Sequence, residues 1–137
     1  MSAPPSDVPV PLTGRPVAAG AFLFDDPEGI GVAEYWAISL EGKDYGVDVS
    51  YLQLSTTRIG VSPPLHEHPY PETVAVFEGT AEFTVGTEKI VVHGGQRLII
   101  PAGTPHLFRT LGPGRYQHFA HHLSAEFVTT FLETGTG

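Results

Sequence analysis

The chain has 137 residues, is 41% hydrophobic, carries a formal net charge of −8 and contains no cysteine. That length reads as one domain whose core needs no disulfides, and without thiolates any metal must be held by nitrogen and oxygen. Its seven lysines and arginines are scattered rather than gathered into a basic stripe, which argues against nucleic acid as a partner, and the acidic balance favours solubility.

Residues 1–16, "MSAPPSDVPVPLTGRP", are proline-rich and read as an extended N-terminal arm. They lack the basic n-region of a signal peptide, and no later apolar run is long enough to span a bilayer, so the expected location is cytoplasmic. Residues 17–137 read as a single domain.

From Val17 the pattern is one of short β-rich runs separated by Gly, Pro and Asp. "VAAGAFLF" is read as a strand stopped by "DDPEG", and "VAEYWAISL" as a second, followed by the turn "EGKDYG". "VDVSYLQLS" alternates. "TRIGV", "LHEH", "TVAVF", "AEFTV", "KIVV", "RLIIP", "HLFRT" and "YQHFAHH" continue at strand length. "FEGTAE" and "TVGTEK" have the glycine of hairpin turns, and "HGGQ" and "PAGTP" supply positions where φ can be positive. Many short strands at regular spacing predict a sandwich or barrel. Only "SAEFVTTFLE", with Ser124 as N-cap and Phe127, Val128, Phe131 and Leu132 on one face, predicts a short C-terminal helix.

Chemistry concentrates in "PPLHEHPYPET". If Leu65–His68 is a strand, His66 and His68 share a face, with Cα atoms roughly 6–7 Å apart, close enough to share one metal ion. Glu72 follows a Pro-Tyr-Pro that stiffens the bend. Imidazole plus carboxylate with open positions suits a catalytic first-row metal, although an H-x-H pair also arises on ordinary exposed strands. Glu67 has the opposite parity and reads as a solvated charge.

The segment Gly60 to Gly79 runs G-(x)5-H-x-H-(x)3-E-(x)6-G, through His66, His68 and Glu72. Gly95 to His106 runs G-(x)5-P-x-G-(x)2-H, through Pro101 and Gly103. These spacings resemble the two motifs of the cupin family, over about residues 60–110. The chain departs from the pattern at Thr110, where an Asn is usual, and at Gln96, where many relatives have Asp. The resemblance implies an all-β fold, a double-stranded β-helix or cupin jelly-roll barrel. It also implies a metal inside, held by His66, His68, Glu72 and His106. The metal is expected to be one divalent first-row transition ion, with Fe, Mn or Ni ahead of Zn, Co or Cu. Four such ligands leave up to two positions on an octahedral ion for water, substrate or dioxygen.

His93 reads as a turn residue facing solvent. His118 and His122 share a parity on the last strand and His121 lies opposite; each can be a packed imidazole, and the inward face can also offer an acid or base, His122 in particular. Parity further turns Val74, Val76, Leu98, Ile100 and Phe108 inward, as core or as the lining of an apolar substrate pocket. Such a pocket favours a small, weakly polar substrate, phenolic or β-dicarbonyl-like, chelating through oxygen.

The first functional expectation is a metal-dependent dioxygenase using O2, similar to quercetinase-like cupins, with Glu72 as ligand or base. A non-redox isomerase, cyclase or lyase and a small-ligand-binding cupin without turnover are the alternatives, because one barrel hosts many chemistries. A homodimer is expected, since edge strands and an apolar face seek cover.

Overall fold

The computed structural model describes residues 9–132. In chain order its strands are β1 (Val10–Pro11), β2 (Arg15–Pro16), β3 (Phe22–Leu23), β4 (Tyr35–Leu40), β5 (Ser50–Thr56), β6 (His66–Glu67), β7 (Glu72–Glu78), β8 (Thr80–Val85), β9 (Glu88–His93), β10 (Gln96–Ile100), β11 (His106–Thr110), β12 (Tyr116–His122) and β13 (Thr130–Phe131). One sheet has the order β1-β4-β5-β12-β7-β10 and the other β13-β6-β11-β8-β9. Every pairing within these two sheets is antiparallel except that of β1 with β4. The fold is an all-β jelly roll, a double-stranded β-helix, as the resemblance implied.

The core follows from period-two alternation. On β12, Tyr116, His118, Ala120 and His122 are buried while His121 is exposed; on β7, Glu72, Val74 and Val76 are buried. Their side chains meet Ala81 and Phe83 of β8 and Val92 of β9 from the opposite sheet. The central β7–β12 ladder sets His122 opposite Glu72, Ala120 opposite Val74 and His118 opposite Val76. These three rows give the interior its long axis.

"FEGTAE" is not a hairpin, because β7 and β8 belong to different sheets. Gly79 carries the chain between them at φ +81°, and a Cβ there would lie 2.5 Å from the Arg115 carbonyl oxygen; only glycine fits. "TVGTEK" is a true two-residue hairpin, with Val85 opposite Glu88.

Three further local readings are corrected. "VAAGAFLF" is a tight β2–β3 hairpin rather than one strand, since Ala19 and Gly20 both take positive φ. "TRIGV" is a turn whose backbone is stitched to Thr110. The Thr110 hydroxyl donates to the Arg58 carbonyl at 2.8 Å and accepts from the Val61 N–H at 3.0 Å, so the residue that departs from the family Asn still closes this loop.

The arm forms an edge: β1 pairs with Ile38 and Ser39 of β4, a position that tolerates its proline. Finally, the C-terminal helix is absent among the described residues. Ser124 does accept the Glu126 N–H, but the next groups have tertiary partners. Phe127 N–H donates to Glu41, Val128 N–H to the Tyr70 hydroxyl and Leu132 N–H to the Leu65 carbonyl. Thr130 and Phe131 pair with β6 as β13. A backbone already bonded to the barrel has no need of intrahelical bonds, and two adjacent threonines favour strand.

Candidate metal centre

Three separate pieces of chain converge at one end of the barrel. β6 brings His66, the stiff turn after it brings His68, and the first residue of β7 is Glu72. β11 opens with His106, directly across the ladder from His66. The His66 and His106 ring centroids are 4.3 Å apart, and those of His68 and His106 are 5.2 Å apart. Glu72 Oε1 lies 3.1 Å from His68 Nε2 and 3.3 Å from His106 Nε2. His68, Glu72 and His106 are buried and His66 is half-buried.

The tautomers can be read from the partners. His66 Nδ1 lies 2.8 Å from the Pro64 carbonyl, His68 Nδ1 2.9 Å from that of Val128 and His106 Nδ1 2.8 Å from that of Thr104. A carbonyl only accepts, so each Nδ1 carries the proton and each neutral ring leaves a bare lone pair on Nε2. His68 Nε2 is sealed from solvent with no hydrogen-bond partner, although a carboxylate oxygen is 3.1 Å away. Two lone pairs that close repel unless a cation lies between them. This orphaned atom, with the backbone-oriented imidazoles around it, is what a divalent ion bound by nitrogen and oxygen requires. The ligand atoms form two overlapping groups, His66 with His68 and His106, and His68 with Glu72 and His122; within each group they lie within 4.8 Å of one another.

The charges fit the same picture. Burial raises the Glu72 carboxyl, but when no metal ion is bound and the neighbouring rings take up a second proton on Nε2, hydrogen bonds from His106 and His68 and the charge of His122 outweigh burial and hold it well below the usual carboxylate range. Burial is the largest single influence on His106 and lowers it, but the bonds to Glu72 and to the Thr104 carbonyl and the Glu72 charge together outweigh it, so the net shift is upward. His66 is lowered, first by burial.

His122 is built differently. Its Nδ1 meets the Tyr70 hydroxyl at 2.7 Å, and that hydroxyl already accepts the Val128 N–H at 3.2 Å. Because His68 Nδ1–H points to the Val128 carbonyl, the Tyr70 proton has one good acceptor, His122 Nδ1. His122 therefore carries its proton on Nε2, 3.5 Å from Glu72 Oε1. It is a donor aimed at the carboxylate, and burial takes its pKa down to about 4. In the sequence, the matching parity of His118 and His122 placed both inward, but nothing in it showed that Tyr70 would set the His122 proton.

A cavity of about 810 Å³ opens from this cluster along the barrel axis. Val74, Phe83 and Phe108 line it, with Leu52, Leu54 and Phe127, which sequence parity did not single out as lining. Val76, Leu98 and Ile100 do not line it: Val76 and Ile100 are sealed in the core, and Leu98 packs against that core. Their parity is inward, but the interior beside them is filled. No lysine or arginine is among the described residues lining the cavity. His93 and His121 are exposed, Glu67 is half-buried, and all three lie outside it.

Residues 54–126 match the cupin domain family, and the chain belongs to it. A search of curated proteins returned no match. Among solved structures, an oxalate oxidase in complex with the substrate analogue glycolate superposes with a TM-score of 0.62 at 19% identity, covering 72% of this chain and 55% of its own. Oxalate decarboxylase from Bacillus subtilis gives 0.62 at 18% identity, over 72% and 28% respectively. A protein of unknown function from Streptococcus pyogenes gives 0.55 at 22%, over 68% and 76%. The chain thus spans about half the length of the oxidase and under a third of the decarboxylase. These likenesses establish the fold.

Proposed function

We propose that this cupin is a metal-dependent enzyme, a dioxygenase acting on a small, weakly polar substrate that chelates the metal through oxygen. The observation that carries the reading is the convergence of three Nε2 lone pairs and one carboxylate on the wall of a largely apolar cavity. His66, His68, Glu72 and His106 would hold the ion. When bound, it would supply Lewis acidity and, if redox-active, a means of activating O2. One similar structure, the Bacillus subtilis decarboxylase, is described with Mn(II) centres, which adds weight to Mn beside Fe and Ni.

The chain's own groups define the rest. Backbone carbonyls orient the three imidazoles, and His122 Nε2 lies 3.5 Å from the Glu72 carboxylate. The apolar walls exclude water and accept flat apolar surface. With no cationic side chain in the lining, nothing but the metal would pair with a dicarboxylate, so oxalate is not carried over from the similar structures. Oxygen uptake by protein loaded with Fe(II) or Mn(II), screened against phenolic and β-dicarbonyl compounds, tests the reading.

The second reading is a non-redox isomerase, cyclase or lyase. The Tyr70–His122 hydrogen bond, with His122 Nε2 3.5 Å from Glu72 Oε1, favours it, because an imidazole so placed can hold a proton beside the cluster. Turnover under strict anoxia by Zn-loaded protein would select it.

A further inference from the structure

The cavity has a second polar pole. His118 lies on β12 one row beyond Ala120 and two beyond His122, roughly 13 Å from His122 along the strand between Cα atoms. Its ring lines the same cavity as the metal cluster and is clamped edge-on by Phe108 at 4.9 Å and Tyr116 at 5.3 Å, with Phe83 at 6.4 Å. The walls between the poles, Val74, Ala120, Leu52 and Leu54, are apolar. An imidazole in such a place is costly unless it is used.

Its tautomer is set by one bond. The Tyr116 hydroxyl meets His118 Nδ1 at 2.6 Å, and the tyrosine is buried. If Nδ1 carried the proton, the hydroxyl hydrogen would be left without an acceptor in the core. Donation from Tyr116 to Nδ1 satisfies both groups and leaves the ring proton on Nε2. No protein group among the described residues is recorded bonding Nε2, and it is not one of the sealed atoms. It therefore opens to the cavity. Burial takes the pKa of this ring down to about 4, against a small upward pull from Glu72, so at neutral pH it offers an uncharged N–H.

We propose that His118 is a ligand-recognition residue whose Nε2–H, fixed by Tyr116, donates to an acceptor at the end of the ligand remote from the metal cluster. The site then takes an elongated neutral molecule: oxygen chelators at one end, an apolar middle lying along Val74 and Ala120, and a carbonyl or ether acceptor at the other. The near end rests on the metal reading above; the far end is new and narrows the substrate class to molecules with two polar ends.

Two probes test it on the Mn(II)-loaded full chain: 1-phenylbutane-1,3-dione and its para-acetyl derivative, which adds one remote carbonyl. The wild type should bind the acetyl probe about tenfold more tightly, as one good hydrogen bond gives. His118→Phe should bring that ratio to within about twofold, and His118→Gln, which keeps a donor, should restore part of it. In parallel, 15N NMR of histidine-labelled, metal-free protein should find His118 as the Nε2–H tautomer and Tyr116→Phe should weaken that bias. An Nδ1–H tautomer in the wild type overturns the proposal, as does a preference that survives His118→Phe. Metal content by elemental analysis reads the metal proposal separately. A chain that takes up no metal overturns that reading, whereas a loaded chain that binds both probes equally overturns this one.

Discussion

The barrel buries two kinds of histidine, and the atom facing Nδ1 separates them. His68 and His106, with half-buried His66 beside them, turn Nδ1–H to backbone carbonyls, which leaves Nε2 bare. His118 and His122 accept from tyrosine hydroxyls on Nδ1, which leaves Nε2 protonated. The first arrangement suits a cation ligand and the second suits a donor. The same side chain thus performs opposite tasks within one cavity, according to whether a carbonyl or a phenol stands behind it.

The contrast is broken most severely by removing a ligand. His68→Ala and His106→Ala should each lower metal affinity more than about 100-fold, beyond what losing an outer partner costs, measured by elemental analysis after dialysis against a fixed free-metal concentration. Full stoichiometry in both variants would refute the assignment.

Acid should act on the donor class next. The unfolded-chain value for His118 is near 6.5 and its folded value is about 4. Between those values the unfolded chain binds more protons, so stability rises with pH across this window. The contribution is complete above about pH 6.5 and is lost as pH falls toward 4, an effect of about 3 kcal/mol. The groups facing the ring are the Tyr116 hydroxyl, Phe83 and Phe108, with only the distant charge of Glu72 opposing the shift. His118→Phe should remove this part of the acid sensitivity in urea titrations across that range. His106, raised by Glu72, works in the opposite sense: its contribution is present below about 6.5 and is lost as pH rises through its folded value.

The tyrosines sharpen the comparison at smaller cost. Tyr70→Phe and Tyr116→Phe each leave a buried Nδ1 without its donor, for about 1–3 kcal/mol, read as a shift in denaturant midpoint. Tyr70→Phe should also weaken metal binding about tenfold, by loosening His122 beside Glu72, while Tyr116→Phe should leave metal affinity unchanged. His121→Ala is the smallest change. Adjacent to His122 but exposed, it should alter stability by no more than about 0.5 kcal/mol.

Much of this was legible in the chain. Alternation on "YQHFAHH" placed His118 and His122 on one face because strands have period two, and β12 is buried at those positions. The motif residues from His66 to His106 marked a common site through their resemblance to the two cupin motifs, while strand parity by itself paired only His66 with His68. The helix expected at "SAEFVTTFLE" failed because local periodicity cannot register that Glu41, Tyr70 and Leu65, all remote in sequence, bind its backbone. The pocket role expected of Val76, Leu98 and Ile100 failed because parity gives direction and not depth: inward residues fill the core wherever the facing sheet lies close. The tautomers were hidden for a related reason, since only the fold sets the hydroxyls of Tyr70 and Tyr116 against particular nitrogens.

The carbonyl behind His68 belongs to Val128, sixty positions further along the chain. During synthesis, then, the imidazoles emerge well before the group that aims one of them, and no ribosome-bound intermediate shorter than about this point presents a finished cation trap. On the metal proposal above, uptake of the ion would be deferred until the last wall of the barrel has docked, which would couple the loading of the cofactor to the completion of folding.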